Sequence, residues 1–259
     1  MKTFPESLLL VGGMGKMGSA LYNAWRKSGM PKNSITLNDI HGQNAKPLDE
    51  IHSTPECIVL AVKPQSMDEV LPALAKKFGS KPFYLSIAAG KTIASLEKHL
   101  GNAAIVRAMP NTPALIGEGM SALYANERTT EEQKKIASEL LQAAGGIVWV
   151  KNESLMDTVT AISGSGPAYV FLFLQSLIEA GISHGLTEGV SRQLAIQTLL
   201  GSTKLAQLSH EPLEKLRSDV TSKGGTTEAA LSVLMKDGGL KDLLSEAIAN
   251  AIKRAKDLA

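Results

Sequence analysis

Cysteine is nearly absent from this sequence: Cys57 stands alone in 259 residues. One thiol rules out a disulfide within the chain, which fits a reducing compartment. Because Cys57 opens the apolar run Cys57-Ile58-Val59-Leu60-Ala61-Val62, it reads as a buried structural thiol rather than a nucleophile. Histidine is also sparse. His41, His52, His99, His184 and His210 form no pair at metal-ligand spacing and have no companion cysteines, so no metal is expected. An excess of one charge is missing too, since a net +2 is too small to argue for nucleic acid or an anionic membrane. The most apolar stretch, residues 168–177, falls short of a membrane span, and the N-terminus lacks the apolar core and cleavage pattern of a signal peptide. The expectation is a soluble, cytoplasmic protein with a small-molecule partner.

With 44% hydrophobic residues, the chain has enough apolar material for one large domain or two modest ones. Its first half alternates short apolar runs with amphipathic stretches. Residues 7–11, 35–38, 57–62, 83–88, 104–109, 121–125 and 147–150 read as strands, several of them continuously apolar, as in a sheet covered on both faces. Met17, Ala20, Leu21, Ala24 and Trp25 fall on one helical face, with Gly29 at the stop. A second helix opens at Thr129-Thr130 with Glu132 or Gln133 as the capping-box partner and runs to Gly145-Gly146. Repetition of strand, helix and strand implies an α/β Rossmann-type, doubly wound parallel sheet. Beyond about residue 152 no strand pattern recurs. Helical patterns cover 155–162, 168–184, 188–207, 213–220, 227–235 and 240–258. The expected division is a dinucleotide-binding domain over 1–152 and an all-α substrate and oligomerisation domain over 153–259, without a Pro/Ser-rich linker.

The first strand runs into Gly13-Met14-Gly15-Lys16-Met17-Gly18, a G-x-G-x-x-G turn that opens a helix. The first glycine permits a tight turn, the second lets a pyrophosphate approach the backbone, and the third packs helix on strand. Free N–H groups at the helix start then face the phosphates. Asp39 follows about 20 residues beyond the turn, where an acidic residue bonds the adenosine ribose hydroxyls and repels a 2′-phosphate. The nearest cation after it is Lys46; a solvated loop aspartate is the other reading of Asp39.

Three further segments belong at carboxyl strand ends: Ala61-Val62-Lys63-Pro64, Ser86-Ile87-Ala88-Ala89-Gly90 and Arg107-Ala108-Met109-Pro110-Asn111-Thr112-Pro113. Their small residues and prolines suit loops lying along a flat cofactor, though each reads equally as an ordinary turn. Two glycine-rich strings, Ser163-Gly164-Ser165-Gly166-Pro167 and Ser222-Lys223-Gly224-Gly225-Thr226-Thr227, precede helical patterns. Each offers N–H groups to a substrate carboxylate, or else simply caps a helix.

Taken together, residues 13–18, 61–64, 107–113, 163–169 and the string 219–229 resemble pyrroline-5-carboxylate reductase, in order, from about residue 8 to the C-terminus. The resemblance implies reduction of the cyclic imine Δ1-pyrroline-5-carboxylate to L-proline by hydride from NADPH or NADH. It also implies a homodimer or higher homo-oligomer whose helical half pairs between subunits to build the active site. The Thr227 hydroxyl would donate to the imine nitrogen. Val220, Ser222, Gly224, Gly225 and Thr226 would hold the substrate, with backbone N–H groups on its carboxylate. Gly13, Met14, Gly15, Lys16, Met17, Gly18, Asp39, Ala61, Val62, Lys63, Pro64, Ala88, Ala89 and Asn111 would hold the coenzyme. The chain departs from the family at two places. Lys223 replaces a usual proline, and Asp39 stands where serine, asparagine or arginine often serves NADPH.

A protonated iminium needs little further acid catalysis, and no His-Asp or Lys-Glu pair marks these motifs. The rival enzyme reading is a β-hydroxyacid dehydrogenase or another imine reductase; such an enzyme would want a helix lysine where this chain has its Gly/Ser/Thr string. The rival from another class is a non-catalytic NAD(P) sensor. Retention of both the cofactor turn and the 222–227 loop speaks against it.

Overall fold

A computed structural model describes residues 4–39 and 45–257; His41 lies outside that description. All seven expected strands form: β1 (Leu8–Val11), β2 (Ile35–Asn38), β3 (Cys57–Leu60), β4 (Phe83–Ser86), β5 (Ile105–Met109), β6 (Gly119–Ala125) and β7 (Gly145–Trp149). They make one sheet in the order β2-β1-β3-β4-β5-β6-β7. The first five are parallel, with Leu8 of β1 opposite Ile35 on one side and Cys57 on the other. The expected doubly wound, mostly parallel sheet forms, with one exception at β6, which runs antiparallel to β5. Only residues 110–118 separate the two strands, too few for the dozen or more residues of a parallel crossover. Strand β7 then pairs parallel to β6 after a helical crossover.

Side chains alternate along the strands and so divide the core in two. Leu8, Leu10, Val59 and Leu85 lie in one buried cluster with residues of α1 (Lys16–Lys27) and α4 (Glu131–Gln142). Leu9, Val11, Ile58, Leu60 and Tyr84 lie in the other, with residues of α2 (Met67–Phe78) and α3 (Ile93–Leu100). Helices on both faces explain why β1 and β3 are apolar at every position. Trp25 of α1 is fully buried, and its Nε1 donates to the Leu140 carbonyl of α4 at 2.7 Å. Of the two capping partners open to α4, the structure uses Gln133: Thr130 Oγ1 accepts the Gln133 N–H, and Gln133 Oε1 accepts the Thr130 N–H. Two helices were not anticipated: α2, which carries Pro72 on its exposed side, and α3, which is only 8 residues long.

The helical segments follow as α5 (Leu155–Val159), a wide π-type turn over Thr160–Gly164, α6 (Gly166–Ser183), α7 (Glu188–Leu208), α8 (Leu213–Asp219), α9 (Thr226–Leu234) and α10 (Leu240–Asp257). The run Leu155–Ser183 spans 29 residues and is long and apolar enough, by length and composition, to cross a membrane. That corrects the shorter limit read from residues 168–177, because the turn at Thr160–Gly164 keeps the helix going where the Gly/Ser string looked like a break.

The chain divides into two compact units. One holds the residues up to Pro167 together with the described residues from Ala251 onward; the other is Ala168–Asn250. In the second unit the loop before α7 is capped by Thr187, which accepts from the Val190 N–H. Gly181 packs against Ser191 there: a Cβ on Gly181 would stand 2.7 Å from the Ser191 hydroxyl oxygen.

Candidate active site

In the sheet unit the strand order reverses between β1 and β3, because β2 turns back to one side of β1 and the chain then crosses to the other. Ligands of open α/β sheets bind at the carboxyl ends of the strands beside such a switch point. The loop after β1 carries the glycine motif, and its glycines answer to different demands. Gly12, one residue ahead of the motif, has φ +80, and a Cβ there would meet the Val62 nitrogen at 2.8 Å. The left-handed turn therefore belongs to Gly12, which sequence reasoning passed over in favour of Gly13. At Gly18 a Cβ would meet the Gly12 carbonyl at 2.7 Å, so the helix can approach the strand only without a side chain. At Gly15 the only neighbour within 4 Å of a Cβ, among the described residues, is the Gly12 carbonyl oxygen, at 3.6 Å. The described residues do not require a glycine there, and the backbone is open to approach from outside.

Gly15 is the N-cap of α1 and gives no side-chain cap, so the N–H groups of the helix start face outward with Met14, Gly15 and Lys16 exposed. Met17 is half-buried and packs against the core. Asp39 sits just past β2, and its Oδ2 accepts the Met14 N–H at 2.9 Å. The carboxylate thus lies against the glycine turn. Lys46 is exposed, while its backbone N–H donates to the Leu37 carbonyl and its carbonyl accepts from Asn38 Nδ2.

Around the switch point, Ala61, Val62, Lys63 and Pro64 follow β3, with the Ala61 N–H donating to the Val11 carbonyl. Ala88 is buried and Ala89 exposed after β4. Asn111 follows β5, but its side chain is occupied. Oδ1 accepts the Met120 N–H at 2.8 Å, and Nδ2 lies 3.2 Å from the Ser163 carbonyl and 3.3 Å from the Ser163 hydroxyl. Both polar ends of this side chain are thus bonded within the protein. Ser163-Gly164-Ser165 lies in the wide turn, where the Ser165 N–H donates to the Thr160 carbonyl at 2.8 Å.

Two buried groups at the amino-terminal ends of the strands, away from the crevice, are inert. Cys57 is fully buried in β3, and burial, with Glu56 alongside, pushes its thiol well above the usual range. No thiolate is available for chemistry. Tyr84 in β4 is pushed up to about 12 by burial, and its hydroxyl donates to the Gly79 carbonyl at 2.6 Å. Among the described residues, no three His, Cys, Asp or Glu side chains converge as a metal cluster would.

In the helical unit, the expected substrate string turns sharply into α9. Gly224 has φ +73, and Gly225 is the N-cap. The Gly224 N–H donates to Glu228 Oε2 at 2.7 Å and the Gly225 N–H to the Ser222 carbonyl at 3.0 Å. Those two N–H groups, expected on a substrate carboxylate, are therefore engaged within the chain. The first bond back into the helix is from the Ala229 N–H to the Gly225 carbonyl, which leaves the N–H groups of Thr226, Thr227 and Glu228 without helical partners. The open N–H groups lie about one residue further along the string than expected. Thr227 is half-buried, whereas Ser222, Lys223 and Thr226 are exposed, as is Val220 at 68%. A solvent-open hollow of about 370 Å³ beside this turn is lined by Arg217, Thr221, Glu228 and Met235, among others; Thr227 is not part of its wall.

Residues 153–258 match the family model described as pyrroline-5-carboxylate reductase dimerisation. The chain is 40% identical to pyrroline-5-carboxylate reductase of Pseudomonas aeruginosa, with 95% of each sequence covered. Its fold superposes on the pyrroline-5-carboxylate reductase of Coxiella burnetii with a TM-score of 0.91 at 33% identity, covering 99% of both chains. The Plasmodium falciparum pyrroline carboxylate reductase, solved with NADP bound, gives 0.88 at 32% identity, covering 100% of this chain and 99% of that one. The chain belongs to the pyrroline-5-carboxylate reductase family, NAD(P)H-dependent oxidoreductases that reduce Δ1-pyrroline-5-carboxylate to L-proline.

Proposed function

We propose that this chain performs the family's imine reduction with its coenzyme stretched over the carboxyl ends of β1, β3 and β4. The pyrophosphate rests on the first turn of α1, against Gly13, Met14, Gly15, Lys16, Met17 and Gly18. The adenosine ribose is held at Asp39, and the nicotinamide extends the other way, past Ala61, Val62, Lys63 and Pro64 toward Ala88 and Ala89. The position of the switch point and the outward opening at Gly15 support this placement. When bound, the coenzyme supplies the hydride; the protein supplies position and charge.

The substrate carboxylate is taken by the N–H groups at the start of α9, with Val220, Ser222, Gly224 and Gly225 shaping the turn. The Thr227 hydroxyl donates to the ring nitrogen as that atom gains electrons. The single observation that carries this half is the run of partnerless N–H groups at Thr226, Thr227 and Glu228 behind a Gly-Gly turn. Glu228, through its bond to the Gly224 N–H, keeps the turn in shape.

We assign dinucleotide binding to residues 1–152 and substrate and subunit pairing to 153–259, a division that the family's dimerisation match over 153–258 supports. The packing of the chain divides a little later, at Pro167. The chain acts as a homo-oligomer, a dimer or larger. Helix α6 carries Phe171 at 64% and Leu172 at 63% exposure and has no buried residue, so within one chain it is not a core helix. An apolar face of that size needs cover. A second copy provides it without membrane or nucleic acid, and a lone buried thiol suits the cytoplasm. A steady-state assay of imine reduction with each coenzyme, alongside light scattering, tests the reading. It predicts turnover by an oligomer. A fully active monomer overturns the pairing, and an inert oligomer overturns the chemistry.

A further inference from the structure

We propose that Asn111 is a positioning residue for hydride transfer. It supplies the hydrogen bond that Pro167 cannot give and so locks the turn Thr160–Gly164 to the end of β5. This deepens the placement above, in which the nicotinamide end of the coenzyme lies toward β4 and β5.

In a continuous α-helix the Ser163 carbonyl would accept the N–H of the residue four places on. That residue is Pro167, which has no N–H and whose ring crowds the carbonyl four places back. The chain widens here into a π-type turn, with the Ser165 N–H reaching back five residues to Thr160. The donor missing from Ser163 arrives from another element, as Asn111 Nδ2. The amide can have only one orientation, since the Met120 N–H at its other end can only donate and the Ser163 carbonyl can only accept. Packing repeats the link: a Cβ at Gly164 would lie 2.5 Å from Met109 Cε, so the turn sits directly against the last residue of β5. One amide thereby ties the end of β5, the start of β6 and the wide turn.

Wide turns of this kind are rare and recur at functional sites. This one borders the strand ends on the side away from Asp39, where the reacting ring of a stretched dinucleotide lies. A shift of about 1 Å there is enough to lower turnover on the order of a hundredfold without loosening the rest of the coenzyme.

The test uses the full-length chain and reads NADPH and NADH binding by fluorescence titration, kcat and KM for the imine, and thermal unfolding. Asn111→Ala is expected to lower kcat at least tenfold while both coenzyme dissociation constants stay within about twofold. Ser163→Ala, which keeps the carbonyl partner, is expected to move kcat the same way by less. Pro167→Ala returns an N–H to the helix, so Asn111→Ala should cost less kcat in that background. A tenfold weaker coenzyme affinity with kcat intact would show direct contact and overturn the proposal. Unchanged kcat, or an equal loss in both backgrounds, overturns it too. If Asn111→Ala does not fold, Ser163→Ala decides: reduced kcat supports the proposal and full kcat overturns it. Gly15→Ala, titrated in parallel, separates the two readings, because unchanged coenzyme binding there contradicts the placement of the dinucleotide and not the role of Asn111.

Discussion

Arg107 and Glu153 form an ion pair at 2.9 Å in which the arginine is almost wholly buried, at 4% exposure, and the glutamate is a quarter exposed. The same Glu153 oxygen accepts the Ile93 N–H at 2.7 Å, so one carboxylate joins β5, the first turn of α3 and the chain entering α5. Helix α3 follows directly on Ala88-Ala89-Gly90, and the pair therefore braces the loop assigned to the nicotinamide.

Glu153→Ala removes that carboxylate and leaves a buried guanidinium and a helix N–H unpaired. Breaking a buried pair costs about 3 kcal/mol or more. Water reaching the exposed side of Glu153 puts the expected loss near the bottom of that range. Denaturant unfolding at neutral pH measures it, and a loss under about 0.5 kcal/mol would contradict the bracing role.

The glycine turn gives a contrast between two substitutions. Gly18→Ala pushes a methyl into the Gly12 carbonyl and is expected to destabilise the sheet unit. Gly15→Ala meets no protein atom closer than 3.6 Å, so it should fold normally and weaken coenzyme binding about tenfold or more. Melting curves and coenzyme titrations on both variants check this, and the reverse pattern would contradict it.

Tyr84 predicts a pH effect with a definite sign. Its folded value of about 12 lies above the ordinary value of 10.0, so the neutral phenol is favoured by folding. The associated stability is fully present below pH 10 and is lost as pH rises through about 12. Phenolate absorbance of the folded protein should show Tyr84 titrating above the ordinary phenol range, and a Tyr84 that titrates near 10.0 would contradict it. Tyr84→Phe should flatten the stability loss between those limits.

Coenzyme choice rests on Asp39. Its carboxylate lies against the glycine turn through the Met14 N–H, where it would accept ribose hydroxyls and repel a 2′-phosphate by ~1–4 kcal/mol. NADH is therefore expected to be used at least as well as NADPH, with Asp39→Ser shifting the ratio of kcat/KM toward NADPH by about tenfold. A wild type that strongly prefers NADPH, together with a silent substitution, would make Asp39 a surface residue.

The sheet was legible because its central strands are apolar on both faces and its glycine turn has a fixed chemistry. All seven strands emerge within a few residues of where the pattern placed them. The direction of β6 was not legible, since run length and hydrophobicity are the same for either orientation and only the short span 110–118 settles it. The Gly/Ser string 163–166 looked like a break because glycine and proline usually punctuate helices. Here a side chain more than fifty residues earlier, Asn111, supplies what Pro167 lacks, and a pairing of that separation leaves no local trace. The same holds for Glu153 beneath Arg107. At α9 the turn into a helix was legible from the string, but Glu228 fills the first N–H, and that depends on a rotamer that composition does not encode.

The role of Thr227 is the centre of the account, and one measurement tests it most directly. Thr227→Ala removes a hydroxyl from the second residue of α9 without touching the Gly224–Glu228 bond, so the fold should persist. Losing a hydrogen bond made in the transition state costs about 2–4 kcal/mol, or roughly a hundredfold or more in kcat. Steady-state kinetics of imine reduction at saturating coenzyme, with circular dichroism as the folding control, should show that loss. A folded Thr227→Ala enzyme with the kcat/KM of the wild type would contradict it.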